Sequence, residues 1–395
     1  MDPAAVPGAS APIRMENPEL FPETYEASRA RFRRDLKRVQ AYWPQAQLRT
    51  HRLSGQDDLT IDWIQAEASQ KQEKLLIFTT GEHGIEGYLG SAILHLFVEE
   101  YLPCLNRQDT GLLLVHAINP WGMKNHRRTN ASNVDLNRNF VTSSKALDGS
   151  FNPAYTGLEP FLNPKGRARD PRWGQAAFTL GLFWRLLLHG PRRFREAALL
   201  GQYRYPKGVY YGGESFQEET RVLMDLYRSA LSAYPHVVHL DMHTGYGPTR
   251  PMSIVTSAME PRSSAELARL FDYPLVVKAN AAEFYSIQGD MIDYIYNLAY
   301  RALPASGQPA PQRLFAASFE FGTLGDSLQA TFRSLRALMR ENQAYWYGAQ
   351  NSQALERIRL EFDELFSPAW EAWRGNAVDN ARQAINGILS AERMA

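Results

Sequence analysis

The chain of 395 residues holds a single cysteine, Cys104. That excludes an intramolecular disulfide and any cysteine-built zinc cluster, so a metal site here has to be made of histidine and carboxylate. An excess of charge is missing too. The 43 basic and 42 acidic residues leave a formal net charge of +1, which points to neither nucleic acid nor an anionic membrane as a bulk partner. No apolar run reaches the roughly 18 residues that a membrane span needs. The nearest, Phe178 to Leu188, is broken by Arg185. The N-terminal stretch MDPAAVPGASAPIRMENPELF has Pro and Asp near its start and neither a basic region nor an apolar core. It does not read as a secretory signal, and a cytoplasmic location is expected. What is present is a 44% hydrophobic composition, enough for a sizeable core. Small or peptide-like substrates are the better expectation.

Hydrophobic patterning alternates strands with helices. After a Pro/Ala-rich arm to about residue 18, a surface helix is expected from Phe21 to Trp43, with Pro22 and Glu23 near its start and basic residues later. Strands are expected at 59–66, from Lys74, at 111–119, at 236–245, from Met252, from Tyr273, and from Arg313 to Glu320. Helical periods follow residue 83, cover about 218–233, and return from Gly325 to the C-terminus. The loop from Pro120 to Phe140 is dense in Asn and Arg, the composition of a loop that carries site groups rather than core. Residues 141 to 215 read as a long excursion, a rim or lid rich in Pro, Gly and aromatics, with a helix through Phe178 to Leu188. The fold class is α/β: a mixed, mostly parallel, doubly wound sheet with helices on both faces and a C-terminal helical layer. An arm and helix (1–45) would precede a catalytic domain (46–325), on which the C-terminal helices (326–395) pack.

The chemistry concentrates in LLIFTTGEHGIEGYLG, residues 75 to 90. A buried strand breaks into a glycine-bracketed turn with His83 and Glu86 three positions apart, so imidazole and carboxylate can converge on one ion. Two ligands in HxxE and a third histidine downstream would leave a zinc coordination position open for water, as a catalytic site needs. His243, at the end of the strand HVVHLDMHTG, is placed for that role. The other histidines read as structural or solvated residues.

In the order HGIEG, RTNASNVDLNRNF, DMHTG and FEFGT, the chain resembles the zinc carboxypeptidases, over roughly residues 70 to 325. It is most similar to an uncharacterised bacterial cytoplasmic branch of that metallocarboxypeptidase family, marked by the NPAY segment at 152–155 and by GQYRYPKGVYYGG at 201–213. The resemblance implies one Zn²⁺ per chain, held by His83, Glu86 and His243, with Glu320 as the general base acting on water. It implies Asp135 as the carboxylate behind His83 and Arg128 as the oxyanion-stabilising group, with Arg127 as its rival. Asn137 and Arg138 would grip the substrate's terminal carboxylate. Tyr285 would close on bound substrate. Ile292 would line the side-chain pocket, an apolar base unsuited to a cationic side chain.

Two departures from that pattern bear on substrate. Ile85 stands where digestive members have an arginine, and no segment before residue 70 resembles their inhibitory pro-domain, so zymogen activation is not expected. The implied activity is hydrolysis of an amide bond beside a free carboxylate, on a peptide or acyl-amino-acid substrate. The alternatives are an N-acyl amino acid deacylase of the aspartoacylase-like type and a non-catalytic binding protein with the same fold.

Overall fold

The computed structural model describes residues 20–56, 58–172, 175–280 and 287–395. Among these described residues eight strands form one sheet: β1 (Gln47–Arg52), β2 (Thr60–Ala66), β3 (Lys74–Thr80), β4 (Thr110–His116), β5 (His236–Gly245), β6 (Ser253–Ser257), β7 (Val276–Ala279) and β8 (Arg313–Gly322). Their order is β1-β2-β4-β3-β5-β8-β6-β7. The central four, β4, β3, β5 and β8, are parallel, as are β6 and β7, while β1–β2, β2–β4 and β6–β8 pair antiparallel. This is the expected mixed, mostly parallel α/β sheet. From β3 the chain passes to β4 on one side and then to β5 on the other. The crevice at the carboxyl ends of those strands is where such sheets hold ligands.

Strand residues alternate between two cores. Leu76 and Phe78 of β3 and Val238 and Leu240 of β5 join one face, against the helices Tyr25–Tyr42, Gly87–Glu100 and Glu371–Ala391. Leu75, Ile77 and Val237 join the other, under the helices Glu218–Ala233 and Met291–Asn297. Both faces being covered explains why the central strands read as continuous apolar runs rather than alternating ones.

Two differences from the sequence reading have local causes. Strand β1, QLRTHR, was not expected. It is an edge strand with no fully buried residue, so it lacks the apolar side that marks a strand in sequence. The first helix, expected at the surface, buries Tyr25, Phe32 and Val39 and also Ser28, whose Oγ lies 2.7 Å from His116 Nε2. Its polar interior side disguises a core-facing helix as a solvated one. The helix expected through Phe178 to Leu188 is Gln175–His189, joined among the described residues of the excursion by the α-helices Pro153–Leu162 and Pro191–Leu199, and the expected C-terminal helices are Leu328–Tyr347, Ser352–Phe366 and Glu371–Ala391. No described helix is long and apolar enough to cross a membrane.

Candidate functional site

Each parallel strand of the centre delivers a polar group to the carboxyl edge. After β3, the chain turns at Gly81 (φ +69°), where a Cβ would stand 3.2 Å from Ala117 Cα. It then presses Gly84 against the loop after β4 so closely that a Cβ would fall 2.1 Å from the Gly122 carbonyl carbon. Gly84 N donates to Arg128 O at 3.1 Å and Ile85 N to Arg127 O at 3.0 Å. The two glycines thereby dock the His83–Glu86 turn on the loop that carries Arg128 and Asp135. Across the sheet, His243 of β5 and Glu320 of β8 are register partners.

His83, Glu86, His243, Arg128, Asn137, Arg138 and Glu320 all line one cavity. His83 Nδ1 lies 3.1 Å from His243 Nδ1 and 3.0 Å from Glu86 Oε1, and His243 Nδ1 lies 3.2 Å from Glu86 Oε2. The outer nitrogens face carboxylates: His83 Nε2 stands 3.1 Å from Asp135 Oδ1, and His243 Nε2 stands 2.5 Å from Asp241 Oδ2. With a proton on each outer nitrogen, the inner nitrogens present lone pairs to each other and to Glu86. Buried together, they call for a cation between them. Two nitrogens about 2.0–2.1 Å from a tetrahedral zinc would stand about 3.3 Å apart, close to the spacing seen. The N, N, O donor set fits zinc.

Glu82 offers a rival donor. Its carboxylate, with His83 and His243, forms a group whose ligand atoms lie within 4.8 Å of one another. But Glu82 Oε2 is 3.4 Å from His243 Nε2, the side Asp241 already faces. The set on the Nδ1 side is tighter. Both Glu82 oxygens are buried with no hydrogen-bond donor among the described residues, and burial raises its carboxyl above the usual range.

The electrostatics follow from this crowding. Burial opposes ionisation of Glu86, but His83, His243 and Arg128 override it and hold the group well below the usual carboxylate range. Burial likewise opposes Asp135, and Arg128, Arg138 and His83 pull it far down. At Glu320 the balance reverses: burial, reinforced by the Glu86 charge, outweighs His243, His83 and Arg128 and pushes it up to about 7. Arg128 donates from Nη1 to Glu86 Oε1 at 2.9 Å and from Nε to Asp135 Oδ2 at 3.1 Å. Arg127 points elsewhere, 2.9 Å from Glu341 and with its guanidinium 3.6 Å over the Tyr345 ring.

Arg138 is buried and donates to the carbonyls of Asn137 and Leu199, both at 2.9 Å, while its Nε has no partner among the described residues. The carboxamide oxygen of Asn137 accepts from Met291 N at 2.9 Å. Ile292 is not brought to the cavity wall. It is packed in the core under the sheet, because its helix turns that side chain inward. Tyr285 lies outside the described residues.

Sequence reasoning missed several participants. Asp241 and Glu82 border His243, and Thr244 N donates to Glu86 Oε2 at 2.8 Å. Alternation in HLDMH was the available signal: His239, Asp241 and His243 share one face of β5. Leu199 and Tyr210 of the excursion line the cavity, as do Leu338, Leu365 and Phe366 of the C-terminal helices. Ile85 is fully buried in a cluster with Phe362 and Phe366, so the position between the two turn residues serves packing.

Among solved structures, the chain is similar at low identity to several carboxypeptidase and amidase chains. The chain is 13% identical to bovine thrombin-activatable fibrinolysis inhibitor in complex with tick carboxypeptidase inhibitor, covering 86% of this chain and 99% of that one, with a TM-score of 0.44. To the carboxypeptidase A of Helicoverpa armigera it is 12% identical over 98% of this chain and 77% of that one, at a TM-score of 0.46. To the murein-tripeptide amidase MpaA of Escherichia coli O157 it is 17% identical over 78% and 95%, at 0.32. No curated protein matches the chain. A family model does, over residues 21–380, and the chain therefore belongs to the family described as protein of unknown function DUF2817.

Proposed function

We propose that this chain is a zinc-dependent hydrolase that cleaves an amide bond next to a free carboxylate, with one ion held by His83, Glu86 and His243. The observation that carries the reading is the pair of inward imidazole Nδ1 atoms 3.1 Å apart, beside Glu86 and backed by Asp135 and Asp241. Bound there, zinc supplies Lewis acidity toward the amide carbonyl and toward water. Glu320 is the general base and acid: with its carboxyl near neutrality it takes the proton of the attacking water and returns it to the leaving amine. Arg128, held by Glu86 and Asp135, donates to the oxygen that becomes negative at the tetrahedral stage. Arg138, with Nε as its uncommitted donor, and Asn137 bind the substrate's carboxylate.

The test combines metal content with one substitution. Protein purified without chelator is expected to hold about one zinc per chain, the stoichiometry of a single catalytic site. Glu320→Gln is expected to keep the zinc and lose at least about 100-fold in turnover. Turnover would be read on the best substrate from a screen of free-carboxylate dipeptides, D-amino-acid cell-wall peptides and N-acyl amino acids. A preference for the last group would move the reading to a deacylase. A chain without zinc, or Glu320→Gln at full turnover, would sink it.

A further inference from the structure

The helix Gln175–His189 is apolar on two sides, and only one of them is covered. On the inner side Phe178 stacks on Phe161 with ring centroids 5.4 Å apart, Leu182 is buried, and the Arg185 guanidinium lies 4.4 Å over the Phe161 ring. On the outer side stand Leu180, Phe183, Trp184, Leu187 and Leu188, which are 60%, 58%, 51%, 64% and 73% exposed. Their spacing of i, i+3, i+4, i+7 and i+8 puts all five on one stripe. They are five of the eleven large hydrophobic side chains exposed among the described residues. A lone exposed leucine is ordinary, whereas a continuous stripe of this size marks a surface that meets something.

The charge around the stripe says what. From Pro171 to Arg195 the chain has five arginines (Arg172, Arg185, Arg192, Arg193 and Arg195) and no acidic residue. The near-zero total charge conceals this local excess. Arg193 is exposed on the next helix, Pro191–Leu199. We propose that this face docks on an anionic lipid surface, with the helix lying in the plane of the interface. Trp, Phe and Leu enter the boundary between headgroups and acyl chains, and Arg193, exposed beside the stripe in sequence, meets the headgroup phosphates, while Arg185 stays inward over Phe161. A second copy of the chain is the rival occupant. A two-fold contact through this stripe would bring two acid-free, arginine-rich stretches together, and like charge opposes it. The surface also adjoins the candidate site: the following helix ends at Leu199, which lines the cavity and whose carbonyl accepts from Arg138 at 2.9 Å.

The test is flotation of the full chain with vesicles of phosphatidylcholine alone or enriched in phosphatidylglycerol. Wild type is expected to float with the anionic vesicles, less so at high salt, and to stay below with phosphatidylcholine alone. Leu187→Gln with Leu188→Gln, and separately Arg193→Glu, are expected to cut the floated fraction, the leucine pair by about tenfold. These side chains are exposed, so thermal unfolding should be unchanged and serves as the folding control. Three results would overturn the proposal: no flotation of wild type on anionic vesicles, flotation of the leucine variant equal to wild type, or light scattering showing a dimer that the leucine variant splits.

Discussion

Strands β5 and β8 run in register for their whole length, and their two ends hold charged clusters of opposite character. At the amino end His236 is the register partner of Arg313. Both reach Glu392, His236 Nε2 at 3.0 Å and Arg313 Nε at 2.7 Å, and Arg262 joins it from Nη1 at 2.8 Å while its Nε holds the buried Glu260 at 2.6 Å, so that two arginines face two carboxylates. At the carboxyl end His243 is the partner of Glu320. There five carboxylates (Glu82, Glu86, Asp135, Asp241 and Glu320) crowd around two histidines, with Arg128 and Arg138 as the nearby guanidinium groups. The first cluster is balanced by the chain itself. The second gathers more carboxyl groups than cations in a buried place, which burial meets by raising Glu82 and Glu320 and which a cation from outside would relieve. A balanced buried charge holds the fold together, and an unbalanced one marks where the fold receives something.

The sharpest way to break that contrast is to supply the cation. At zinc about a thousandfold above its dissociation constant, the folded state is expected to gain about 4 kcal/mol, read as a shift in the denaturant midpoint between zinc-loaded and chelator-treated protein. His243→Ala should abolish the shift. An equal shift in that variant would mean that the ion binds elsewhere.

Somewhat smaller is the effect expected at the other end. Glu392→Gln removes the centre of a buried group and should cost about 3 kcal/mol in urea unfolding, with zinc content unchanged. Burial opposes the Glu392 charge, but His236, Arg262 and Arg313 override it and bring the carboxyl down to about 2. The folded value lies below the ordinary one, so the unfolded chain takes up the proton first on acidification. The stabilisation is therefore complete above the ordinary carboxyl range and is lost as pH falls toward about 2. In the variant the acid limb of the stability curve should be flatter, and an unaltered limb would show that Glu392 is not what titrates.

The smallest expected effect refines the site. Asp135→Asn keeps a hydrogen-bonding group near His83 but removes its charge, and zinc affinity should fall by about 10–100-fold, or about 1.4–2.7 kcal/mol. Competition with a coloured chelator measures it. Undiminished affinity would leave Asp135 as a partner of Arg128 only.

How much of this was legible depended on how local each signal was. The strand at Lys74–Thr80 is an apolar run ended by a glycine turn, and the strand at His236–Gly245 matches its expected bounds. Both could be read because buried parallel strands write their burial directly into composition. The polar edge strand at Gln47–Arg52 could not. Arg127 and Arg128 are adjacent and chemically identical, and no spacing rule separates them. Only the packing of Tyr345 and Glu341, more than 200 positions away, draws Arg127 off and leaves Arg128 beside Glu86. The leucine and tryptophan stripe was visible as an apolar segment, but periodicity cannot say which side of a helix meets the core when both sides are apolar.

By itself, the sequence determined the α/β class, the strands that end at the site, and the order His83, Glu86, Asp135, His243, Glu320 along the chain, because each rests on neighbours within a few residues. Only the tertiary structure decided that the two Nδ1 atoms face each other, that Asp241 and Glu82 stand behind His243, and that C-terminal helices wall the cavity. Those facts depend on contacts between segments far apart in the chain. Burial, which gives each charge its weight, exists only once those segments meet.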